Sequence, residues 1–73
     1  MRGKGPITYR EMQVLSMLAE HRTYAHIAAN MGINVVTVYN HVASLMLKTG
    51  MHKKELLIKY AIDHGFRKQV ISA

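Results

Sequence analysis

The segment TYAHIAANMGINVVTVYNHVASLMLK, residues 23–48, decides the fold of this chain. Thr23 and Asn34 are good N-cap residues, and each precedes a stretch whose apolar residues recur at helical spacing. Gly32 lies between the two stretches and suits the left-handed conformation that ends a helix. The pattern therefore predicts a short helix of about two turns, a tight link and a second helix over 35–48. The core-facing residues of this second helix are Val38, Val42 and Leu45.

Two further helices are predicted outside this segment. Thr8 and Glu11 have the spacing of a capping box, so the first helix should begin near Tyr9 and end near residues 21–22. The last helix is predicted over about 54–64, where a glycine follows it. The stretch INVVTVY alone could pass for a strand, but the apolar residues after it continue at helical spacing. The predicted fold class is all-α.

The chain has 73 residues, which is enough for one domain. A chain of this size has little apolar material from which to build a core. Residues 1–6 are Gly-rich and basic, and we expect a flexible arm that either touches DNA or stays solvated. Residues 7–66 form the predicted domain, and 67–73 are either a tail or a helix extension. An excised domain would look the same, but the starting Met and the lack of a preceding linker favour a complete small protein.

The charge balance favours a polyanionic partner. Lys and Arg number 10 against 4 Asp and Glu, which gives a formal net charge of +6 and a sequence pI of about 10.0. A merely soluble basic surface is the alternative. The chain has no Cys, no signal peptide and no apolar run that could span a bilayer, so we expect a cytoplasmic protein in a bacterial or phage-infected bacterial cell.

A helix, a link with glycine and a second helix are typical of a helix-turn-helix. From Ile7 to Phe66 the sequence resembles the LuxR/GerE-type DNA-binding domain. The residues that carry the resemblance are Thr8, Arg10, Glu11, Val14, Leu15, Leu18, Ile27, Ala28, Gly32, Ile33, Thr37, Val38, His41, Lys48, Gly50, Leu57, Ala61 and Gly65. The resemblance implies a four-helix domain of bacterial transcription control, with its third helix in the major groove. Most members join this domain to a sensor or receiver domain, so the chain resembles a stand-alone form.

The resemblance also implies the base-reading positions, on the side of the third helix opposite its core residues: Val36, Tyr39, Asn40 and Ala43. Asn40 can form a bidentate pair with adenine, whereas the alternative is an exposed Asn without a partner. Val36 and Ala43 offer apolar contacts for thymine methyl groups. Tyr39 is expected either to reach a sugar or phosphate or to pack on the surface. Because family members often carry Lys or Arg here, we expect weak, A·T-leaning readout with a share left to DNA shape.

Contacts to the DNA backbone are expected from residues around this helix: Thr23, Tyr24, Thr37, His41, Lys48, His52, Lys53 and Lys54. Lys54 stands where family members commonly have Arg, and its ammonium lacks the planar, two-pronged donor geometry of a guanidinium. His41 is alternatively a half-buried packing residue, and Arg10 is expected to be structural rather than base-reading.

A homodimer is expected to form through the fourth helix, at Leu56, Ile58 and Ile62. These residues, with Met46 and Leu47, are more apolar surface than so small a monomer should expose, although Ile58 could instead complete the core. A two-fold dimer would place two reading helices about 34 Å apart, one DNA turn.

The remaining chemistry gives little support to catalysis or cofactor binding. The five His residues show no metal-binding spacing, and the four carboxylates offer no paired acid and base, so we expect no metal, no cofactor and no enzyme. The leading hypothesis is a sequence-specific transcription regulator that binds an imperfect palindrome in double-stranded DNA. The alternative is a protein-interaction module of the same fold that docks on a regulator or on RNA polymerase and alters its DNA binding.

Overall fold

The computed structural model describes residues 6–66 and contains four helices in that range: α1 Tyr9–Ala19, α2 Tyr24–Met31, α3 Val35–Thr49 and α4 Lys54–Asp63. The all-α prediction is confirmed. Helix α1 packs against α3 and α4, and α2 packs against α3. None of these helices is long and apolar enough to cross a membrane. The expectations for an arm over 1–5 and for a tail or helix extension over 67–73 lie outside the described residues.

The predicted helix starts are confirmed by side-chain caps. The Thr8 hydroxyl accepts a hydrogen bond from the Glu11 amide at 3.2 Å, and the Glu11 carboxylate accepts one from the Thr8 amide at 2.9 Å. The side chains of Thr23 and Asn34 cap α2 and α3 by accepting hydrogen bonds from the His26 and Val36 amides. Helix α4 begins without a side-chain cap. Its position therefore depends on packing more than on a local signal.

Glycine ends two of the helices as predicted. Gly32, at φ 69°, follows α2, and Gly50, at φ 77°, follows α3. Such a left-handed conformation costs glycine little because it has no Cβ. The first helix stops at Ala19, two residues earlier than predicted, and His21 takes the left-handed conformation at φ 61° without being glycine. The turn between α1 and α2 is consequently tight.

The core lies where α1, α3 and α4 meet and extends to α2. Its buried apolar residues include the three predicted on α3 and come from every helix: Val14, Leu15, Leu18, Ala19, Ile27, Ala28, Val38, Val42, Leu45, Leu57 and Ala61. Phe66 packs against this core, and its carbonyl accepts a hydrogen bond from the Ser16 hydroxyl at 2.9 Å. The buried side of α3 is thereby fixed, so its opposite side faces outward.

Candidate nucleic-acid interface

The exposed side of α3 carries all four residues predicted to read bases. Val36 is 57% exposed and Tyr39 is 51% exposed, and Asn40 and Ala43 are also exposed. Because Val38, Val42 and Leu45 are buried on the other side, these four side chains share one outward surface. This surface carries no charge of its own, so it offers an amide, a phenol and two apolar side chains to a partner.

Tyr39 is not an isolated side chain on that surface. Its ring lies edge-on to the ring of Tyr24 on α2, with 5.0 Å between the centroids and 71° between the planes. The Lys54 ammonium at the start of α4 lies 4.3 Å from the centroid of the Tyr24 ring. Helical spacing correctly predicted that Tyr39 lies on the exposed side of α3. The contacts that join Tyr24, Tyr39 and Lys54 are tertiary, so no local sequence pattern indicates them.

The other predicted backbone contacts surround α3. The Thr23 hydroxyl is used in capping and accepts from the His26 amide at 3.1 Å. Thr37 and His41 are half-buried, whereas His52 and Lys53 are exposed. The Arg22 guanidinium lies 3.2 Å from Glu20 and 2.8 Å from the His26 ring nitrogen at the start of α2. Basic groups therefore lie at the starts of both α2 and α4.

Lys48 differs from its predicted role as a phosphate contact. Its ammonium lies 2.6 Å from a Glu11 carboxylate oxygen and donates to the Pro6 carbonyl at 3.0 Å, and its side chain is only 11% exposed. An ammonium that is buried against a carboxylate is not available to DNA. The geometry therefore removes Lys48 from the set of candidate phosphate contacts.

Ser44 joins Glu11 and Lys48 in a cluster of polar side chains, a contact that no pattern in the sequence indicated. The Ser44 hydroxyl donates to the second Glu11 oxygen at 2.7 Å, so the Glu11 carboxylate, which is 7% exposed, receives hydrogen bonds from Thr8, Ser44 and Lys48. Burial raises the pKa of Glu11, but these hydrogen bonds outweigh it and lower the pKa from 4.5 to about 2. The cluster ties the start of α1 to the end of α3.

The residues predicted for a dimer lie on two different flanks of α4. At about 100° per residue, Leu56 and Ile58 lie on nearly opposite sides of the helix axis, roughly 160° apart. Ile58 and Ile62 pack partly against the core, whereas Leu56 lines a surface groove with Met51 and Tyr60. A second apolar groove lies at the end of α3, beside Leu47, which is 68% exposed.

No cluster of three or more His, Cys, Asp or Glu side chains able to hold a metal ion occurs within residues 6–66. The outer surface of α3 and the starts of α2 and α4 carry the exposed side chains described above. Their chemistry is that of hydrogen bonding, apolar contact and positive charge.

The sequence is similar to known proteins over most of its length. A family model described as bacterial regulatory proteins of the luxR family (GerE) matches residues 6–61. The chain is 35% identical over 68 residues to the transcriptional regulatory protein MctR of Rhizobium johnstonii, covering 93% of this chain and 32% of that protein. It is also 35% identical over 58 residues to the probable transcriptional regulator ycf29 of Cyanophora paradoxa, covering 80% of this chain and 28% of that protein. The chain thus spans about a third of the length of these curated relatives.

Proposed function

The chain belongs to the luxR family of bacterial regulatory proteins, and from this premise we propose that it is a DNA-binding transcription regulator without enzymatic activity. The observation that carries the proposal is the outward surface of α3, since an exposed second helix of a helix-turn-helix is the part that enters the major groove. The domain would act on double-stranded DNA in the cytoplasm of a bacterial or phage-infected bacterial cell.

The contacts divide into two classes. Val36, Asn40 and Ala43 are proposed to meet base edges, whereas Thr23, Tyr24, Thr37, His41, Lys53 and Lys54 are proposed to meet the DNA backbone. With one amide and two small apolar side chains at the base edges, the expected readout is weak and favours A·T pairs. DNA shape would supply the rest of the specificity.

Substituting Asn40 by alanine is expected to weaken binding to the preferred duplex by about 5- to 150-fold, because one bidentate adenine contact is worth about 1 to 3 kcal/mol. Binding to a scrambled duplex should change little. Fluorescence anisotropy with both duplexes measures the ratio. Asn30→Ala is the matched control, since Asn30 is also an exposed helical Asn but lies in the grooves between α1 and α2. Equal losses for both variants would contradict the assignment.

Salt is expected to weaken binding steeply. Each phosphate that the protein neutralises contributes about −0.9 to the slope of log affinity against log salt concentration. With Lys53 and Lys54 in each subunit, a dimer should therefore show a slope of about −4 or steeper. Binding titrations with duplex DNA, from low to physiological salt concentration, measure this slope. A slope near zero would contradict contacts between these lysines and the DNA phosphates.

A homodimer through α4 is part of the proposal. Since Leu56 and Ile58 lie on different flanks, a two-fold interface that uses both must span the outer side of α4, and Ile58 and Ile62, which pack partly against the core, offer it only their exposed parts. Selection of binding sites from random duplex DNA tests this function as a whole. We expect A·T-rich half-sites, related by a two-fold axis, with centres about 10 base pairs apart. Single half-sites would argue against the dimer, and half-sites rich in G·C at their centres would argue against the proposed readout.

A protein-binding role is the second candidate, in which the domain docks on a regulator or on RNA polymerase. The observation that favours it is the groove around the exposed Leu47, lined by Ala43, Met46 and Met51. Apolar side chains grouped in this way are typical of contact surfaces. A chain that shows no saturable binding to any duplex, but loses a protein partner when Leu47 is replaced by lysine, would support this role over DNA binding.

A further inference from the structure

Three side chains from three helices meet beside the reading surface. Tyr24 is the first residue of α2, Tyr39 lies on the outer side of α3 and Lys54 is the first residue of α4. The Tyr24 ring is their common contact, because its centroid lies 5.0 Å from the centroid of the Tyr39 ring, in a T-shaped arrangement, and 4.3 Å from the Lys54 ammonium. We refer to these three residues as the aromatic-lysine cluster.

The Tyr24 contact sets the position of the Tyr39 ring. Edge-to-face packing ties the Tyr39 ring to the start of α2, at the edge of the outer side of α3 that faces α2. In a helix-turn-helix the first helix crosses the DNA backbone while the second lies in the groove. A side chain of α3 that leans on the start of α2 therefore lies closer to the backbone than to the base edges.

The chemistry of the cluster suits an anion. A tyrosine hydroxyl is protonated at neutral pH and can donate a hydrogen bond. Burial, with smaller contributions from Tyr39 and Glu55, raises the pKa of Tyr24 further. Lys54 makes no salt bridge with any carboxylate within residues 6–66. Its ammonium is held by the ring face through a cation–π contact, which leaves its charge unneutralised. Two phenol donors and one free cation match the acceptor oxygens of a phosphate.

We propose that Tyr24, Tyr39 and Lys54 together bind one phosphate of the DNA backbone at the edge of the major groove. Tyr39 then positions the domain on the duplex and does not read a base, so the base-reading set is Val36, Asn40 and Ala43. This inference rests on the proposed DNA-binding function. It assigns a single phosphate in each half-site to three side chains that are distant in sequence.

The test compares Tyr39→Phe and Lys54→Met with the unchanged chain, using the selected duplex and a scrambled duplex. Removing the Tyr39 hydroxyl but keeping its ring should weaken binding to both duplexes by the same factor, about three- to tenfold. The Lys54 variant should make the salt slope shallower by about 0.9 for each subunit. Tyr9→Phe is the matched control, because Tyr9 is 73% exposed on α1 and lies outside the cluster.

Duplexes in which one phosphate at a time is replaced by an uncharged methylphosphonate identify the contact. At a single position in each half-site, the unchanged chain should lose the most affinity, whereas Tyr39→Phe and Lys54→Met should each lose less, because each variant has already lost one of the contacts to that phosphate. The proposal is overturned if Tyr39→Phe changes the preferred base at one position, or if the two variants respond to different phosphates. It also fails, with the function intact, if both variants bind like the Tyr9 control. Absence of saturable binding by the unchanged chain would overturn the function itself.

Discussion

Replacing Lys48 by methionine is expected to lower the free energy of unfolding by about 3 to 5 kcal/mol, the usual cost of removing one partner from a buried ion pair. The Lys48 ammonium lies 2.6 Å from Glu11, and the two side chains are 11% and 7% exposed. Without Lys48, the buried Glu11 carboxylate either stays charged with no cationic partner or takes up a proton, and both alternatives cost free energy of folding. Small domains are stable by only about 5 to 15 kcal/mol, so the variant should unfold at much lower urea concentration. Circular dichroism during urea titration measures the change.

The matched control is Lys53→Met, which removes an exposed ammonium five residues away. Surface substitutions of this kind usually change stability by less than about 0.5 kcal/mol. In the double variant Glu11→Gln/Lys48→Met, no buried charge remains, so its loss should be smaller than the sum of the single losses by about 1 to 3 kcal/mol. A Lys48→Met variant as stable as Lys53→Met would show that the pair contributes nothing.

The helix pattern was predictable because its signals are short-range. The Thr8 and Glu11 capping box spans four residues, and Gly32 needs only its own left-handed conformation. The buried side of α3 follows from the spacing of Val38, Val42 and Leu45, at i, i+4 and i+7. Patterns that involve only neighbouring residues of one helix can be recognised without knowledge of the tertiary structure. The end of α1 was predicted two residues too late, since no glycine or proline marks it.

The partners of individual side chains were not predictable in the same way. Lys48 and Glu11 are separated by 37 positions, and the sequence contains other carboxylates and other lysines that could have paired. The contact of Tyr39 with Tyr24 depends on the angle between α2 and α3, which spacing within one helix does not specify. The resemblance implied positions for DNA contacts, but it did not indicate that the Lys48 ammonium is paired with the Glu11 carboxylate.

Acidification is expected to destabilise the domain between about pH 5 and pH 2, through Glu11. Its pKa is about 2 in the folded chain against an ordinary value of 4.5. Above pH 5 the carboxylate is ionised in both states, so the full stabilisation is present. Between the two values the unfolded chain binds the proton and the folded chain does not, so stability falls as pH falls. The difference of about 2.5 units corresponds to about 3 kcal/mol in total.

Urea titrations at pH values from 7 down to 2.5 measure this loss, and Glu11→Gln identifies its source. The glutamine cannot titrate, so the variant should be less stable at pH 7 and should show a much flatter dependence on pH. Glu20→Gln is the matched control, because Glu20 pairs with Arg22 at 3.2 Å on a surface where the Arg22 side chain is 44% exposed. Exposed pairs contribute little, so this variant should keep the pH dependence of the unchanged chain.

If Glu11→Gln loses stability with acid as steeply as the unchanged chain, another carboxylate must carry the effect. If the dependence flattens only in Glu11→Gln, acid acts by releasing α1 from the end of α3, the helix proposed to read DNA.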